Sequence, residues 1–185
     1  MITRRSLVLT AATGLLAGAI SRPALADPAT PVDPRSILTA IYSRAAIGKG
    51  DGGGGGFVVA TRSARARYLS QSLATLWLRA DAHTPKGDVG PVDFDPVANS
   101  QEPDIKSFTM TTESFNSERA TIAVTIFGHD PPRVKAADAI VRYDFVLEGP
   151  QWKIDDIRGA SDGAPWSIRG MLMDALRDSS GKTGR

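Results

Sequence analysis

Residues 143–158 read YDFVLEGPQWKIDDIR, and this stretch decides the fold. The apolar residues that alternate along it are Tyr143, Phe145 and Leu147 before a break, and Trp152 and Ile154 after it. Successive side chains of a strand point to opposite faces, so each half predicts a strand with one apolar face. The break is Gly149-Pro150, two residues typical of a tight turn. The stretch therefore predicts a β-hairpin whose apolar face must be covered by other elements.

The neighbouring segments predict those elements. Alternation favours strands over residues 105–115 and 120–127, and the first strand of the hairpin extends back to residue 136. Helical spacing predicts helices over residues 34–48 and 61–81, and a short one after Ser167. We therefore expect an α+β fold, with two N-terminal helices packed in a strongly curved, four-stranded antiparallel sheet, and a short C-terminal helix. The polar tail from Ser179 is predicted to be disordered.

A glycine tract separates the first two predicted helices. Residues 48–56 read GKGDGGGGG. A phosphate-binding loop needs Gly-Lys-Ser/Thr at its end, whereas Lys49 is followed by Gly50. We expect a flexible surface loop here.

The N-terminus has the pattern of an export signal. Arg4 and Arg5 precede an apolar run, and Ala24-Leu25-Ala26 supplies the small residues of a cleavage site. We expect a twin-arginine signal peptide over residues 1–26, cleavage after Ala26 and a periplasmic location; an ordinary Sec signal is the alternative. One domain over residues 27–178 would remain, with no integral membrane segment.

Charge and cysteine content exclude several classes of function. The chain has 22 Lys+Arg and 20 Asp+Glu, and removing Arg4, Arg5 and Arg22 with the signal leaves 19 basic against 20 acidic residues. This balance gives no reason to expect binding to nucleic acid. No cysteine is present, which excludes disulfides and thiolate chemistry.

The most polar stretch, residues 92–102, reads VDFDPVANSQE. Its carboxylates do not have the spacing of an EF-hand loop, which needs a glycine at position six and a glutamate at position twelve. His83 and His129 are the only histidines and stand far apart, so a zinc site is not expected. We predict no metal and no cofactor.

Three groups of residues resemble the DUF3828 group of small exported bacterial proteins, within or near the NTF2-like (cystatin-like) α+β cone folds. They are Asp95-Pro96 with Asn99 and Gln101, the run QWKIDDI over residues 151–157 after Gly149, and the terminal run WSIR over residues 166–169. The similarity covers roughly residues 34–176. It implies a cone fold and an exported location. The family has no established activity, so the resemblance carries over no catalytic residue.

The resemblance also implies a cavity between the long helix and the concave sheet. The residues expected to bind a ligand there are Tyr42, Tyr68, Trp77, Phe94, Asp95, Asn99, Gln101, Tyr143, Trp152 and Asp156. Asp95 and Asp156 are also candidate general bases, because a carboxylate in an apolar cavity has a raised pKa. The alternative is structural: the aspartates satisfy loop amides or pair with Arg142 or Arg158, and the aromatic side chains belong to the core.

These residues are compatible with three functions. We favour noncatalytic binding of a small ligand or a partner protein over catalysis. The first alternative is a cofactor-free acid/base enzyme, of the isomerase or dehydratase type, that uses Asp95 or Asp156. The second is an inhibitor or immunity-type protein. Full pairing of both aspartates by backbone amides or arginines would argue against the enzyme.

Overall fold

The computed structural model describes residues 32–47, 53–129 and 135–182, with the side chains of residues 179–182 excepted. The fold is α+β, with the helices and the sheet built from separate parts of the chain. The helices are α1 (Pro34–Ala45), α2 (Arg62–Tyr68), α3 (Gln71–His83) and α4 (Ile168–Lys182). The strands are β1 (Ser107–Phe115), β2 (Arg119–Phe127), β3 (Ile140–Glu148), β4 (Gln151–Ser161) and β5 (Ala164–Ser167). The predicted signal peptide lies outside the described residues.

The strands form one open antiparallel sheet in the order β1-β2-β3-β4-β5. The predicted hairpin is β3 with β4, in which Glu148 lies opposite Gln151. Gly149 has a φ of 58° at the first turn position, which a residue with a side chain would adopt only with strain.

The fifth strand corrects the predicted count of four. β4 and β5 are joined by a two-residue turn, Asp162-Gly163, with φ values of 50° and 78°. Positive φ at both positions is the requirement of a type I′ hairpin turn. β5 has only four residues and contains Pro165, which hides its strand pattern in the sequence. Proline is tolerated there because β5 is an edge strand and one side of its backbone needs no partner.

The helix predicted over residues 61–81 is two helices. The chain breaks at Leu69 and Ser70, where the Ser70 amide donates to the carbonyl of Ile154 at 2.7 Å. The Ser70 hydroxyl then accepts from the Leu73 amide at 3.0 Å and caps α3. α4 continues to Lys182, beyond Ser179, where the sequence predicts disorder.

The core lies between the helices and one face of the sheet. α1 begins at Pro34, with Asp33 accepting from the Arg35 amide at 2.8 Å, and α4 packs against α3. The largest fully buried side chains are Tyr42, Tyr143, Phe145, Leu38, Ile41, Leu69, Leu73, Ile105, Ile122, Ile154, Ile157 and Ile168. We call the face of the sheet that contributes to this core the inner face. Among the described residues, no helix combines the length and apolar character that crossing a bilayer requires.

Candidate functional site

Tyr42 of α1 and Tyr143 of β3 meet inside the fold. The Tyr42 hydroxyl donates to the Val97 carbonyl at 2.9 Å and lies 3.0 Å from the Tyr143 hydroxyl. Because Tyr42 gives its proton to Val97, Tyr143 is the donor between the two tyrosines. Both side chains are 0% exposed. Burial, followed by the influence of Tyr42, raises the pKa of Tyr143 well above its ordinary value. Side chains therefore fill the interior at the place where the resemblance implies a cavity.

Asp95 holds a loop through its carboxylate. Oδ1 accepts from the amides of Val97 at 2.9 Å and Ala98 at 3.3 Å, and Oδ2 accepts from the Gly55 amide at 2.5 Å. Both oxygens thus accept hydrogen bonds from backbone amides, so the carboxylate holds residues 95–98 against the end of the glycine tract.

The end of the glycine tract makes this arrangement possible. Gly54 has a φ of 76°, and a Cβ there would lie 2.3 Å from Asp95 Oδ2. A Cβ on Gly55 would lie 2.2 Å from Val97 Cβ. Gly54 and Gly55 are buried inside the packed fold, whereas the sequence predicts a flexible surface loop. Residues 48–52 of the tract lie outside the described residues.

Asp156 connects β4 to the start of α4. Oδ1 accepts from the amides of Ile157 and Arg169, each at 2.9 Å, and Oδ2 accepts from the Ser167 hydroxyl at 2.6 Å. A carboxylate at the first turn of a helix satisfies free amides and interacts favourably with the helix dipole. These contacts are of the kind that the alternative, structural interpretation of Asp156 expects.

A bulge decides which way Asp156 points. The β3–β4 register places Asp156 opposite Asp144 and Ile154 opposite Phe145, so Asp155 is the extra residue. Unbroken alternation would place Asp156 on the inner face with Ile154. One inserted residue reverses the facing of those that follow, so Asp156 lies on the opposite face. Arg158 pairs with Asp144 through two nitrogens, at 2.6 and 2.8 Å.

Asn99 connects the polar loop, residues 92–102, to the sheet. Its Nδ2 donates to the carbonyls of Asp138 at 2.8 Å and Ala160 at 2.7 Å, and its Oδ1 accepts from Trp166 Nε1 at 2.9 Å. Phe94 stacks edge-on against Trp166, with ring centroids 5.0 Å apart. Asn99 therefore connects this loop to β4 and to Trp166, and the Trp166 ring packs against Phe94.

Two more predicted ligand-binding residues pack against other rings. Trp152 is buried and lies 5.7 Å from Phe115, measured between ring centroids. Tyr68 is half-buried, with its ring 6.2 Å from that of Phe57. Both side chains serve the packing of the fold.

The remaining predicted residues meet at one surface cleft of about 450 Å³, which we call the α3 cleft. It lies between α3, the start of α2 and the polar loop. Its lining residues are Gly56, Val59, Ala60, Arg65, Trp77, Asp81, Gly90, Pro91, Val92, Asp93, Phe94, Asp95 and Gln101. The sequence predicted four of them, Trp77, Phe94, Asp95 and Gln101, as ligand-binding residues.

An ion pair forms part of this lining. Arg65 Nη1 lies 2.5 Å from Asp81 Oδ2, and the Arg65 guanidinium carbon lies 4.9 Å from the centroid of the Trp77 ring. Arg65 Nε is buried and has no hydrogen-bond acceptor among the described residues. The guanidinium group lies over the face of the Trp77 indole, as in a cation–π contact. Arg65 also lines a second, smaller cleft of about 280 Å³, with Leu69, Leu78 and neighbouring residues.

The sequence did not predict Arg65, Asp81 or Asp93 as site residues. In one continuous helix over residues 61–81, Arg65 would point away from the apolar face, so that helix gives no reason to place it in a site. The cap at Ser70 is the signal that could have revealed the break.

Carboxylates are the most numerous charged groups in the lining of the α3 cleft. The lining contains three aspartates and one arginine, and no serine, histidine, lysine or tyrosine. Within residues 32–47, 53–129 and 135–182, no three His, Asp or Glu side chains are grouped in a way that could hold a metal ion.

Compared with known proteins, the chain matches no family model, no curated protein and no solved structure.

Proposed function

We propose that the protein is an exported, noncatalytic binding domain that holds a small molecule in the α3 cleft. One observation carries the proposal: Trp77, Phe94, Asp95 and Gln101 line a single open cleft, while Tyr42 and Tyr143 fill the interior. A ligand therefore has access to the outside of the cone and not to its centre. The fold we propose is the NTF2-like cone of the DUF3828 group, with β5 added to the predicted four strands.

The pairing of the two aspartates argues against the acid/base enzyme. Each oxygen of Asp95 and Asp156 accepts a hydrogen bond from a backbone amide or a hydroxyl within the protein. A general base must come within hydrogen-bond reach of the proton that it removes, whereas these carboxylates are directed at groups of the protein itself. Turning either carboxylate toward a substrate would break the hydrogen bonds that hold the loop or the start of α4.

The charge of the α3 cleft indicates the class of ligand. Asp81, Asp93 and Asp95 outnumber the single arginine, Arg65, so the formal charge of the lining is −2. Arg65 pairs with Asp81 and backbone amides hold both oxygens of Asp95, whereas Asp93 is exposed and Phe94 is half-buried. A cation with a small aromatic or apolar body fits this lining, because its charge meets the Asp93 carboxylate and its body meets the Phe94 ring.

Export is part of the proposal. The paired arginines, the apolar run and Ala24-Leu25-Ala26 support a twin-arginine signal and a periplasmic location.

Benzylamine and benzoate test the ligand class, since they share a ring and differ in charge. NMR titration of the purified protein should show benzylamine shifting the signals of Trp77 and Gln101, and benzoate leaving them unmoved. Asp93→Asn should weaken benzylamine binding about twofold to fivefold, the size of one exposed charge interaction. Glu102→Gln removes one charge from the same loop outside the cleft lining and is the matched control.

Equal binding of the two probes would contradict the charge argument. Binding of neither, or shifts at Tyr143 in place of Trp77, would remove the α3 cleft as the site.

A further inference from the structure

β1 is an edge strand that is open to solvent. In the described part of the chain its backbone pairs with β2 alone, and the sheet does not close. Seven of its nine residues are exposed, and Phe108 and Met110 are half-buried. Such an edge presents unpaired amides and carbonyls that can accept another strand.

The composition of β1 leaves this edge poorly protected. Residues 107–115 read SFTMTTESF, with Glu113 as the only charge and no lysine or proline. Natural edge strands that must stay single carry lysine, proline or inward-pointing charges. β1 has one such device, a bulge between Thr112 and Ser114. The first part of the strand is regular and uncharged.

We propose that β1 pairs antiparallel with β1 of a second copy of this chain, about a two-fold axis at Met110. A two-fold axis perpendicular to the sheet leaves inward-pointing side chains pointing inward in both copies. Residues that lie opposite each other across the two strands must therefore point to the same side of the sheet. Phe108, Met110 and Thr112 face inward, opposite the buried side of β2, while Thr109 and Thr111 face outward. Among axes on an inward-facing residue of β1, the one at Met110 pairs the longest run that stops short of the bulge residue Glu113, namely residues 108–112.

This register is self-complementary. Met110 meets its own copy on the inner face, Phe108 lies opposite Thr112, and Thr109 lies opposite Thr111. Pairs of threonines across antiparallel strands are favourable. Beyond this run, the bulge residue Glu113, which pairs with Arg142 of its own chain at 2.9 Å, comes near Ser107 and Lys106 of the other copy. In this register no two like charges lie opposite each other. A second copy of this chain can therefore pair with the edge of β1 without charge repulsion.

The pairing is a weak one. A ladder over residues 108–112 buries less than the roughly 1,200 Å² of stable interfaces, so we expect a dissociation constant on the order of tens of micromolar. Two such sheets would join into one sheet of ten strands.

Charge variants on the outer face test the register by sedimentation velocity of the purified protein. Thr109→Lys with Thr111→Lys places lysine opposite lysine twice and should weaken dimerisation on the order of tenfold. Thr109→Lys with Thr111→Glu places lysine opposite glutamate twice and should restore or strengthen it. Both double variants change only exposed threonines, and circular dichroism checks that each is folded.

The absence of cysteine allows a second test. Met110→Cys should form a disulfide-linked dimer under mild oxidation, because directly opposed residues of antiparallel strands have Cα atoms roughly 4.5–5.5 Å apart. Thr125→Cys, on β2 and away from the edge, should not.

A wild-type protein that stays monomeric at about 200 µM would overturn the proposal, since that concentration exceeds the expected dissociation constant. Equal self-association of the two charge variants would overturn this register. If β1 were found paired with a strand of a different protein, the proposal that a second copy of this chain binds there would be wrong.

Discussion

Replacing the two buried tyrosine hydroxyls, singly and together, tests whether the interior of the fold is filled. The perturbations are Tyr42→Phe, Tyr143→Phe and the double variant, each of which removes oxygen atoms and keeps the ring. The Tyr42 hydroxyl donates to Val97 and accepts from Tyr143, and all of these groups lie in the buried core.

The pattern of hydrogen bonds sets the magnitudes. Tyr143→Phe removes one hydrogen bond while Tyr42 keeps its bond to Val97, so the free energy of unfolding should fall by about 1 kcal/mol. Tyr42→Phe leaves the Val97 carbonyl and the Tyr143 hydroxyl buried without partners, at a cost of about 2–4 kcal/mol in total. The double variant removes the unpaired hydroxyl as well. It should therefore be no less stable than Tyr42→Phe alone, although independent costs would sum to about 3–5 kcal/mol.

Urea unfolding, followed by far-UV circular dichroism, measures the four proteins under one set of conditions. Unchanged slopes with urea confirm that the variants unfold from comparable compact states. Strictly additive losses would refute the reasoning, because they would mean that water enters the interior and partners each hydroxyl that is left behind.

Three further predictions follow from the same contacts. The raised pKa of Tyr143 means that the unfolded state loses its proton first as pH rises, so this residue's contribution to stability is present below pH 10.0 and declines above it. Unfolding at pH 9 to 11 should therefore show a steeper loss for the wild type than for Tyr143→Phe. Gly55→Ala should destabilise the fold by about 2 kcal/mol or more in thermal unfolding, because its Cβ would overlap Val97, whereas Gly56→Ala has open space and should cost little. Lysines in place of both Arg4 and Arg5 should retain the protein in the cytoplasm if export uses the twin-arginine route; unchanged periplasmic yield in cell fractionation would indicate the Sec route.

Alternation and turn residues predict the central strands of the sheet correctly, but they do not predict its last edge strand, β5. The β3–β4 hairpin is visible in the sequence because Gly149-Pro150 interrupts two alternating runs. β5 is not visible, because four residues around Pro165 are too few to show a period and their pairing depends on the turn at Asp162. Such a short strand forms because it pairs with the neighbouring strand, and not because its own residues favour the β conformation.

Local irregularities decided which site residues meet. The bulge at Asp155 turned Asp156 away from the core, and the cap at Ser70 split one predicted helix into two. Neither follows from a periodic pattern, since each depends on contacts with distant segments. The cleft residues Trp77, Phe94 and Gln101 could be named from the sequence, but Arg65 could not, because its position depends on that helix break.

The central claim is that a small cationic ligand binds in the α3 cleft, outside the filled core of the fold. The most direct measurement is a two-dimensional NMR titration of the purified protein with benzylamine, with all three tryptophan indole signals assigned. We predict saturable shifts at the Trp77 indole and at Gln101, with the signals of Tyr42 and Tyr143 unchanged. Shifts that centre on Tyr42 and Tyr143 would place the ligand inside the core and contradict the claim.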